Sequence, residues 1–282
     1  MTRLNLKLLG KIEIGVLNRC SGSGYCMESP CWEGLVFESI WKSFDSKPVL
    51  KGLTLNVQPG EIVCLLGPNG SGKSTLFKMS IGVLAPDKGR VKVCGVNPAK
   101  DPMRARQIVG YMPEDLVLFE SLKVEEFLEF ILSIYGVKVN RTRIDETLKL
   151  LGLEEELGKF VGDLSRGNKR RVYLAALMLR DPPVLVLDEA FTGLDPVGAR
   201  ILKSWVKSMS SRGATILFST HVLPIAEAVA DRVAIIHEGQ IKAEGRPDEL
   251  RRLFGAEELE EVFLEVTGYS KEYEDIIRSL YS

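Results

Sequence analysis

The sequence lacks any long uninterrupted apolar segment. Apolar runs such as 174–179 and 184–187 end within a few residues, whereas a membrane-spanning helix needs about 18 consecutive apolar residues. We therefore expect no spanning helix in this chain. Near the N-terminus, Lys7, Lys11 and Glu13 interrupt the apolar positions that a signal peptide requires, so we expect a cytoplasmic protein.

The sequence also lacks an excess of charge of either sign. Its 37 lysines and arginines balance 38 aspartates and glutamates, which leaves a formal net charge of −1 over 282 residues. Non-specific nucleic-acid binding depends mainly on the attraction of basic residues to phosphates, so no nucleic-acid partner is expected. The apolar share of 45% is typical of a globular chain with one or two domains.

Cysteine is scarce, and its odd count of five argues against a secreted disulfide framework. Cys64 and Cys94 lie in apolar runs, where cysteine usually behaves as a small buried hydrophobe. Cys20, Cys26 and Cys31 lie in a segment rich in glycine and serine. Two interpretations of these three stay open. One is a zinc or iron–sulfur site that lacks a fourth ligand, and the other is an extension with reduced thiols.

The chain divides into three parts by pattern. Residues 1–33 combine an alternating apolar segment with an SGSG loop and are interpreted as an N-terminal extension. Residues 34–250 alternate short apolar runs with amphipathic segments, which is typical of an α/β domain with a parallel or mixed sheet. A helical subdomain is predicted within it at about 115–180, and a C-terminal helical tail at 251–282. The predicted buried strands are 61–66, 108–111, 184–187, 215–219 and 233–236.

A glycine-rich motif follows the first of these strands. Residues 67–74 read GPNGSGKS, which fits G-x-x-x-x-G-K-[ST] between a strand and a helix. In that context backbone N–H groups bind phosphates, the lysine reaches the β- and γ-phosphates, and the serine hydroxyl binds Mg²⁺. Lys73 is therefore a candidate catalytic residue and Ser74 a candidate metal ligand. The candidate nucleotide-binding residues are Gly67, Pro68, Asn69, Gly70, Ser71, Gly72, Lys73, Ser74 and Thr75.

Two acids follow the predicted strand 184–187. Acidic residues at the carboxyl end of a parallel strand face the crevice in which ligands bind. Taken alone, the pattern also fits a strand that runs into a solvated loop. Together with the glycine-rich loop, it predicts that Asp188 binds Mg²⁺ and that Glu189 polarises the attacking water.

These motifs, in this order, resemble the ATP-binding subunits of ABC transporters over residues 35–249. Three further segments carry the resemblance. Residues 164–168 stand where the family has its LSGGQ signature, residues 192–196 follow as the D-loop does, and His221 matches the switch histidine. The resemblance implies a P-loop NTPase of the ABC type, with a mixed or parallel core sheet, an antiparallel β subdomain and an inserted helical subdomain.

The signature departs from the family pattern at Arg166 and Asn168. Its Ser165 and Gly167 are retained, and in the family these positions contact the γ-phosphate bound by the opposite subunit. Arg166 either assists that contact or lies in solvent. The resemblance also places Asp195, in the D-loop, among the nucleotide-binding residues.

The resemblance assigns three more residues. Glu114 occupies the position of a glutamine that touches Mg²⁺ or the attacking water, and a carboxylate can also bind Mg²⁺; a plain surface acid is the alternative. Phe44 stands where the family has an aromatic that stacks on adenine. A core position for Phe44, with Trp41 on the adenine instead, is the alternative. His221 is a candidate catalytic residue beside the nucleotide.

The resemblance implies that two ATP-binding subunits, in a homodimer or heterodimer, close around two ATP molecules with Mg²⁺. Hydrolysis would power an integral-membrane permease that holds the subunit at the inner face of the cell membrane. Residues 259–268 are similar to the tail of the ABC-2 exporter branch, which favours export over import, but a plain amphipathic helix explains them equally.

Two other functions stay open. One is a soluble ABC-type ATPase of translation or DNA maintenance, for which one phosphate loop and the lack of sustained heptads are atypical. The other is a weakly hydrolysing regulatory ABC subunit.

Overall fold

Strands and helices alternate through most of the chain in the computed structural model, which describes residues 31–269. The strands are β1 (Leu35–Phe44), β2 (Lys47–Val57), β3 (Ile62–Leu66), β4 (Lys88–Val93), β5 (Val109–Met112), β6 (Val184–Leu187), β7 (Thr215–Ser219), β8 (Arg232–His237) and β9 (Gln240–Gly245). The helices are α1 (Lys73–Ser80), α2 (Pro102–Ile108), α3 (Val124–Ile134), α4 (Arg141–Leu150), α5 (Arg166–Arg180), α6 (Pro196–Ser211), α7 (Leu223–Val229), α8 (Pro247–Phe254) and α9 (Leu259–Thr267). The SGSG loop, Cys20, Cys26 and the tail beyond residue 269 lie outside the described residues.

The core sheet has six strands in the order β5-β6-β7-β3-β8-β9. The first five of these are parallel, and β9 is antiparallel to β8. Each strand predicted from the sequence is present, with bounds that differ by no more than one residue at either end. The prediction succeeds because parallel strands buried on both faces appear in a sequence as continuous apolar runs.

A second sheet is antiparallel and has the order β2-β1-β4. It confirms the antiparallel β subdomain that the family resemblance implies. The β1–β2 hairpin closes where Phe44 pairs with Lys47. Within residues 31–269, no helix is long and apolar enough to cross a membrane.

Strand β3 lies between the two hydrophobic cores of the described residues. Alternate side chains of a strand point to opposite faces of the sheet. Accordingly, Ile62, Cys64 and Leu66 join the core formed with the helices, whereas Val63 and Leu65 join the core beneath the antiparallel sheet. Burial on both faces holds β3 in place, and the glycine-rich loop begins directly at its carboxyl end.

The segment predicted to be helical contains α3, α4 and α5. Gly136 and Gly152, which we expect to end helices, follow α3 and α4 with φ angles of 63° and 64°. These left-handed conformations favour glycine. Helix α9 confirms the helical spacing in the tail, where Leu259 and Val262 are buried. The boundaries 1–33, 34–250 and 251–282 stay predictions.

A disulfide joins Cys31 to Cys94. The two interpretations of Cys31, a reduced thiol and a metal ligand, are therefore wrong. Cys94 is partly buried against the core, as its apolar run predicts, but it is also disulfide-bonded. The physical reason is the register of the antiparallel sheet: Leu35 pairs with Val93, which brings the residues before β1 and after β4 together with their Cα atoms 4.6 Å apart. Cys64 is a free buried cysteine, as the apolar run predicts.

Replacing Cys94 with serine is expected to destabilise the oxidised protein. The disulfide spans 63 residues. Closing a loop of this length lowers the entropy of the unfolded chain, which raises the free energy of unfolding by roughly 4 kcal/mol. Urea unfolding of wild type and Cys94→Ser in non-reducing buffer measures the difference. In reducing buffer the two proteins should unfold at similar urea concentrations. Equal unfolding midpoints without reductant would contradict a stabilising disulfide.

Candidate functional site

The glycine-rich loop occupies a confined space between β3 and α1. A Cβ on Gly67 would lie 2.4 Å from the carbonyl oxygen of Ile236, so a larger residue would clash with backbone. Gly72 has a φ of 109°, and a Cβ there would lie 2.6 Å from the Leu50 side chain. These two positions therefore require glycine, and the loop passes close to strands β2 and β8.

Lys73 begins α1 and points back into the loop. Its Nζ donates to the carbonyl oxygens of Gly67 at 2.6 Å and Pro68 at 3.1 Å. Burial lowers the pKa of Lys73, although the nearby carboxylates of Glu189, Asp188 and Glu114 oppose that shift. The Ser71 hydroxyl in the same loop is buried and has no hydrogen-bond partner among the described residues. The loop thus presents a desolvated ammonium group and an unsatisfied hydroxyl.

The two acids after β6 are held by the neighbouring strand β7. The hydroxyl of Ser219, the last residue of β7, donates to the Asp188 carboxylate at 2.7 Å. The same hydroxyl accepts a hydrogen bond from the Glu189 backbone N–H at 3.0 Å. Asp188 is 2% exposed and directly follows the carboxyl end of β6, the edge at which ligands bind in such sheets.

Glu189 has an unusual backbone conformation and a well-defined carboxylate. Its φ of 48° lies in the left-handed region that non-glycine residues rarely adopt. Its Oε2 is 2.9 Å from Nδ1 of His221 and accepts a hydrogen bond from the Thr192 hydroxyl at 3.2 Å. The Glu189 side chain is 10% exposed and that of His221 is 65% exposed. A shielded carboxylate and an accessible imidazole thus form one pair.

Glu114 lies in the loop after β5, within electrostatic range of Lys73. Its backbone carbonyl accepts a hydrogen bond from Nη2 of Arg170 on α5 at 2.6 Å. Burial raises the pKa of the neighbouring Tyr111, and the charges of Asp188 and Glu114 raise it further. Lys73 therefore lies within electrostatic range of the carboxylates of Asp188, Glu189 and Glu114.

The signature segment lies elsewhere. Ser165 caps α5, where its hydroxyl accepts a hydrogen bond from the Asn168 N–H at 3.2 Å. Asp195 caps α6 and accepts a hydrogen bond from Arg171 at 2.5 Å, which lowers the pKa of Asp195. Within the described residues, no hydrogen bond or ion pair joins Ser165 or Gly167 to the glycine-rich loop.

Phe44 lies at the tip of the β1–β2 hairpin. Phe44 is 41% exposed, so the alternative that placed it in the core is wrong. Trp41 is also exposed, at 45%, but its indole packs beside Gly52 on the same hairpin. The hairpin lies beside the glycine-rich loop because Leu50 contacts the Gly72 position. The same hairpin carries the exposed Phe44 ring at its tip, with Nζ of Lys42 5.4 Å from the ring centroid.

Three residues that the sequence did not single out contact the site: Ser219, Arg170 and Arg171. Ser219 carried a usable signal, because it ends a predicted parallel strand and such ends meet at one edge of the sheet. The two arginines carried no local signal. Their partners are distant in the sequence: Arg170 and Glu114 are 56 positions apart, and Arg171 and Asp195 are 24 positions apart.

Sequence comparisons match the chain to known proteins. A family model described as ABC transporter matches residues 50–192. Nod factor export ATP-binding protein I of Burkholderia pseudomallei (strain 1710b) is 40% identical over 213 residues, which cover 75% of this chain and 70% of that protein. The ABC-type transporter ATP-binding protein EcsA of Bacillus subtilis (strain 168) is 36% identical, with coverages of 83% and 96%.

Two solved structures are also similar. The structure of an ATP-binding subunit of an ABC transporter has a TM-score of 0.77 and 35% identity, and the match covers 83% of this chain and 99% of that one. The structure of cbiO1 from Clostridium perfringens, part of the ABC transporter complex cbiONQ, has a TM-score of 0.66 and 31% identity. That match covers 85% of this chain and 98% of cbiO1.

Proposed function

The chain belongs to the ABC transporter ATP-binding family, and from this premise we propose that it binds and hydrolyses ATP with Mg²⁺ to power a membrane permease. The observation that carries the proposal is one cluster: the Ser219 hydroxyl joins Asp188 to Glu189, and Glu189 is paired with His221. Buried Lys73 lies within electrostatic range of both acids. Phosphoryl transfer needs mainly positioning and charge stabilisation, which such a cluster supplies.

The residues present fit a triphosphate and a magnesium ion. The unsatisfied Ser71 hydroxyl and the desolvated Lys73 ammonium group are suited to phosphate oxygens. Backbone N–H groups at the start of α1 add positive potential. Ser74, Asp188 and Glu114 offer the oxygen ligands that Mg²⁺ prefers. When bound, Mg²⁺ neutralises charge that develops on the phosphate oxygens.

Glu189 is positioned to act as the general base. A water proton passes to its carboxylate while the water oxygen attacks the γ-phosphorus. The bond from that phosphorus to the β,γ-bridging oxygen breaks, and ADP leaves with that oxygen. His221 orients the carboxylate through their 2.9 Å contact, and its exposed ring is accessible to the γ-phosphate. Phe44 supplies a surface for the adenine ring.

Two copies of the fold, or this chain and a second ATP-binding subunit, would enclose two ATP molecules. Ser165 and Gly167 have no hydrogen bond to their own glycine-rich loop, which leaves them available to the nucleotide of the partner subunit. Asp195 accepts a hydrogen bond from Arg171 on α5. It therefore lies on the same side of the fold as Ser165 and Gly167. Loss of the γ-phosphate would remove the shared charge and open the dimer.

The permease would dock on the exposed apolar side of α3. Phe130 and Ile134 are 41% and 57% exposed and lie one turn apart, and Phe119 packs edge-on against Phe130 with centroids 5.2 Å apart. Tyr135, at the end of α3, lines an adjacent cavity of about 150 Å³. Exposed apolar patches of this kind mark interaction surfaces. Docking there would hold the subunit at the cytoplasmic face of the membrane.

Export is the proposed direction of transport. The name of the Nod factor relative refers to export, and the tail helix α9 lies where the sequence resembles the ABC-2 branch. The altered signature, with Arg166 and Asn168, is the one observation that favours a weakly hydrolysing regulatory subunit instead.

Steady-state ATPase assays with the purified chain test this function. Membranes that contain the permease should stimulate hydrolysis, because docking couples the two proteins. Ile134→Asp should keep the basal rate of hydrolysis. Its affinity for the membranes should fall at least about 30-fold, with loss of stimulation, since apolar anchors at an interface contribute about 2 kcal/mol or more.

Leu253→Asp is the matched control, because Leu253 is 78% exposed on α8. It should be stimulated as wild type is. Full stimulation of Ile134→Asp would place the docking surface elsewhere. Stimulation by ribosomes or DNA in place of membranes would favour a soluble ABC-type ATPase, and a very low rate under every condition would favour the regulatory subunit.

A further inference from the structure

Arg170 on α5 bridges the two loops that carry Glu114 and Glu189. Its Nη2 donates to the Glu114 carbonyl oxygen at 2.6 Å, and its Nη1 donates to the Glu189 carbonyl oxygen at 3.4 Å. Burial lowers the pKa of Arg170, but the charges of Glu114, Asp115 and Glu189 oppose the shift. A half-buried cation is thus held among three acids.

The backbone of Glu189 needs such support. A non-glycine residue in the left-handed region costs roughly 1–3 kcal/mol and persists only where its surroundings fix it. Ser219 binds the Glu189 N–H. The Glu189 carbonyl accepts from Arg170 and from the Thr192 N–H, the latter at 3.0 Å. The hydrogen bond from Arg170 links this peptide to α5.

Arg170 also touches the segment that precedes α6. A Cβ placed on Gly193 would lie 3.4 Å from Nε of Arg170, so the arginine side chain lies across this glycine. A Cβ on Gly167 would lie 3.7 Å from the Gly193 carbonyl oxygen. The first turn of α5, the Arg170 side chain and Gly193 therefore lie close together.

We propose that Arg170 is a positioning residue that holds the Glu189 main chain so that its carboxylate meets the attacking water. The inference rests on the proposed ATP hydrolysis. An arginine suits the task because its planar guanidinium donates to two carbonyl groups at once, which an ammonium group does less well. Since Ser165 caps α5, Arg170 ties the segment proposed to face a partner's nucleotide to this chain's own general base.

The kinetics of Arg170→Met and Arg170→Lys test the inference. We expect Arg170→Met to lower kcat for ATP hydrolysis about 10- to 100-fold, because small misplacement of a catalytic group has effects of this size. The KM for ATP and the affinity for Mg-ATP should change less than about 3-fold. Arg170→Lys, which keeps the charge, should recover part of kcat. Arg252→Met is the matched control, since Arg252 is 75% exposed on α8.

A second measurement separates positioning from general stability. In a Glu189→Gln background, Arg170→Met should cause little further loss of hydrolysis, because the group that it positions is already gone. A full further 10-fold loss would overturn the inference. If Arg170→Met does not fold, Arg170→Lys decides: lowered kcat at unchanged KM supports the inference, and wild-type kcat overturns it.

The failures of the two proposals are distinguishable. Hydrolysis by Glu189→Gln at the wild-type rate would remove the proposed general base and this inference with it. If Glu189→Gln is inactive while Arg170→Met keeps kcat within about 2-fold of wild type, the ATPase function stands and only the role of Arg170 is overturned.

Discussion

Glu189→Gln is expected to lower kcat for ATP hydrolysis by about 10²- to 10⁴-fold, the usual contribution of a general base. The amide keeps the size of the side chain and a hydrogen bond to the Thr192 hydroxyl, which is 3.2 Å from the carboxylate. It cannot accept the proton of the attacking water. ATP should therefore still bind. The closed dimer should accumulate because the γ-phosphate, whose loss opens the dimer, is not cleaved. Phosphate release measures kcat, and sedimentation velocity with Mg-ATP measures the dimer.

The control for this variant is Glu260→Gln, which changes an exposed acid on α9. It should hydrolyse ATP at the wild-type rate and show no accumulation of dimer. Wild-type kcat in Glu189→Gln would show that another group accepts the proton. Loss of kcat together with loss of ATP binding would show that Glu189 holds the nucleotide site together instead.

Lys73→Met is expected to abolish measurable Mg-ATP binding at concentrations that saturate wild type. Removal of a buried charged partner of the phosphates should weaken affinity at least about 100-fold. When Mg-ATP is present at about 100 times its Kd, ligand binding adds about 2.7 kcal/mol to the free energy of unfolding of wild type. This raises the Tm of a protein of this size by several degrees. The variant should show no such shift in thermal unfolding.

Without nucleotide, Lys73→Met should be at least as stable as wild type. Burial lowers the pKa of Lys73, which means that the charged form is less favourable in the folded chain than in the unfolded one. This cost is present at neutral pH and is relieved only as the pH rises above the folded-state pKa. Methionine removes the charge and keeps the apolar stem. Strong destabilisation of the nucleotide-free variant would contradict the assignment of Lys73 to the ligand.

The elements that hold the site could be predicted from the sequence because each has a local pattern. Strand β6 is a short apolar run that ends in Asp188, and the glycine-rich loop has a fixed spacing between β3 and α1. Burial on both faces produces such runs. The order of the strands has no local pattern and was not predicted. The two-sheet arrangement was expected only through the family resemblance.

Contacts between distant segments could not be read from the sequence. Cys31 and Cys94 are 63 residues apart, and only the pairing of β1 with β4 makes them neighbours. In the sequence, Arg170 is an ordinary basic residue of a helix. Its contacts with the loops after β5 and β6 form only when the chain folds. The left-handed backbone of Glu189 is likewise set by its neighbours, because an isolated glutamate favours other conformations. The roles assigned to these site residues stay predictions.

Calorimetric titration of Mg-ATP into the 282-residue chain tests the central claim most directly. The Glu189→Gln variant is the suitable sample, because its slow hydrolysis keeps the ligand intact during the titration. We predict saturable binding of one ATP per chain, and its loss when EDTA removes the magnesium. Well-folded protein that takes up no Mg-ATP would contradict the nucleotide site and, with it, the proposed ATP-driven transport.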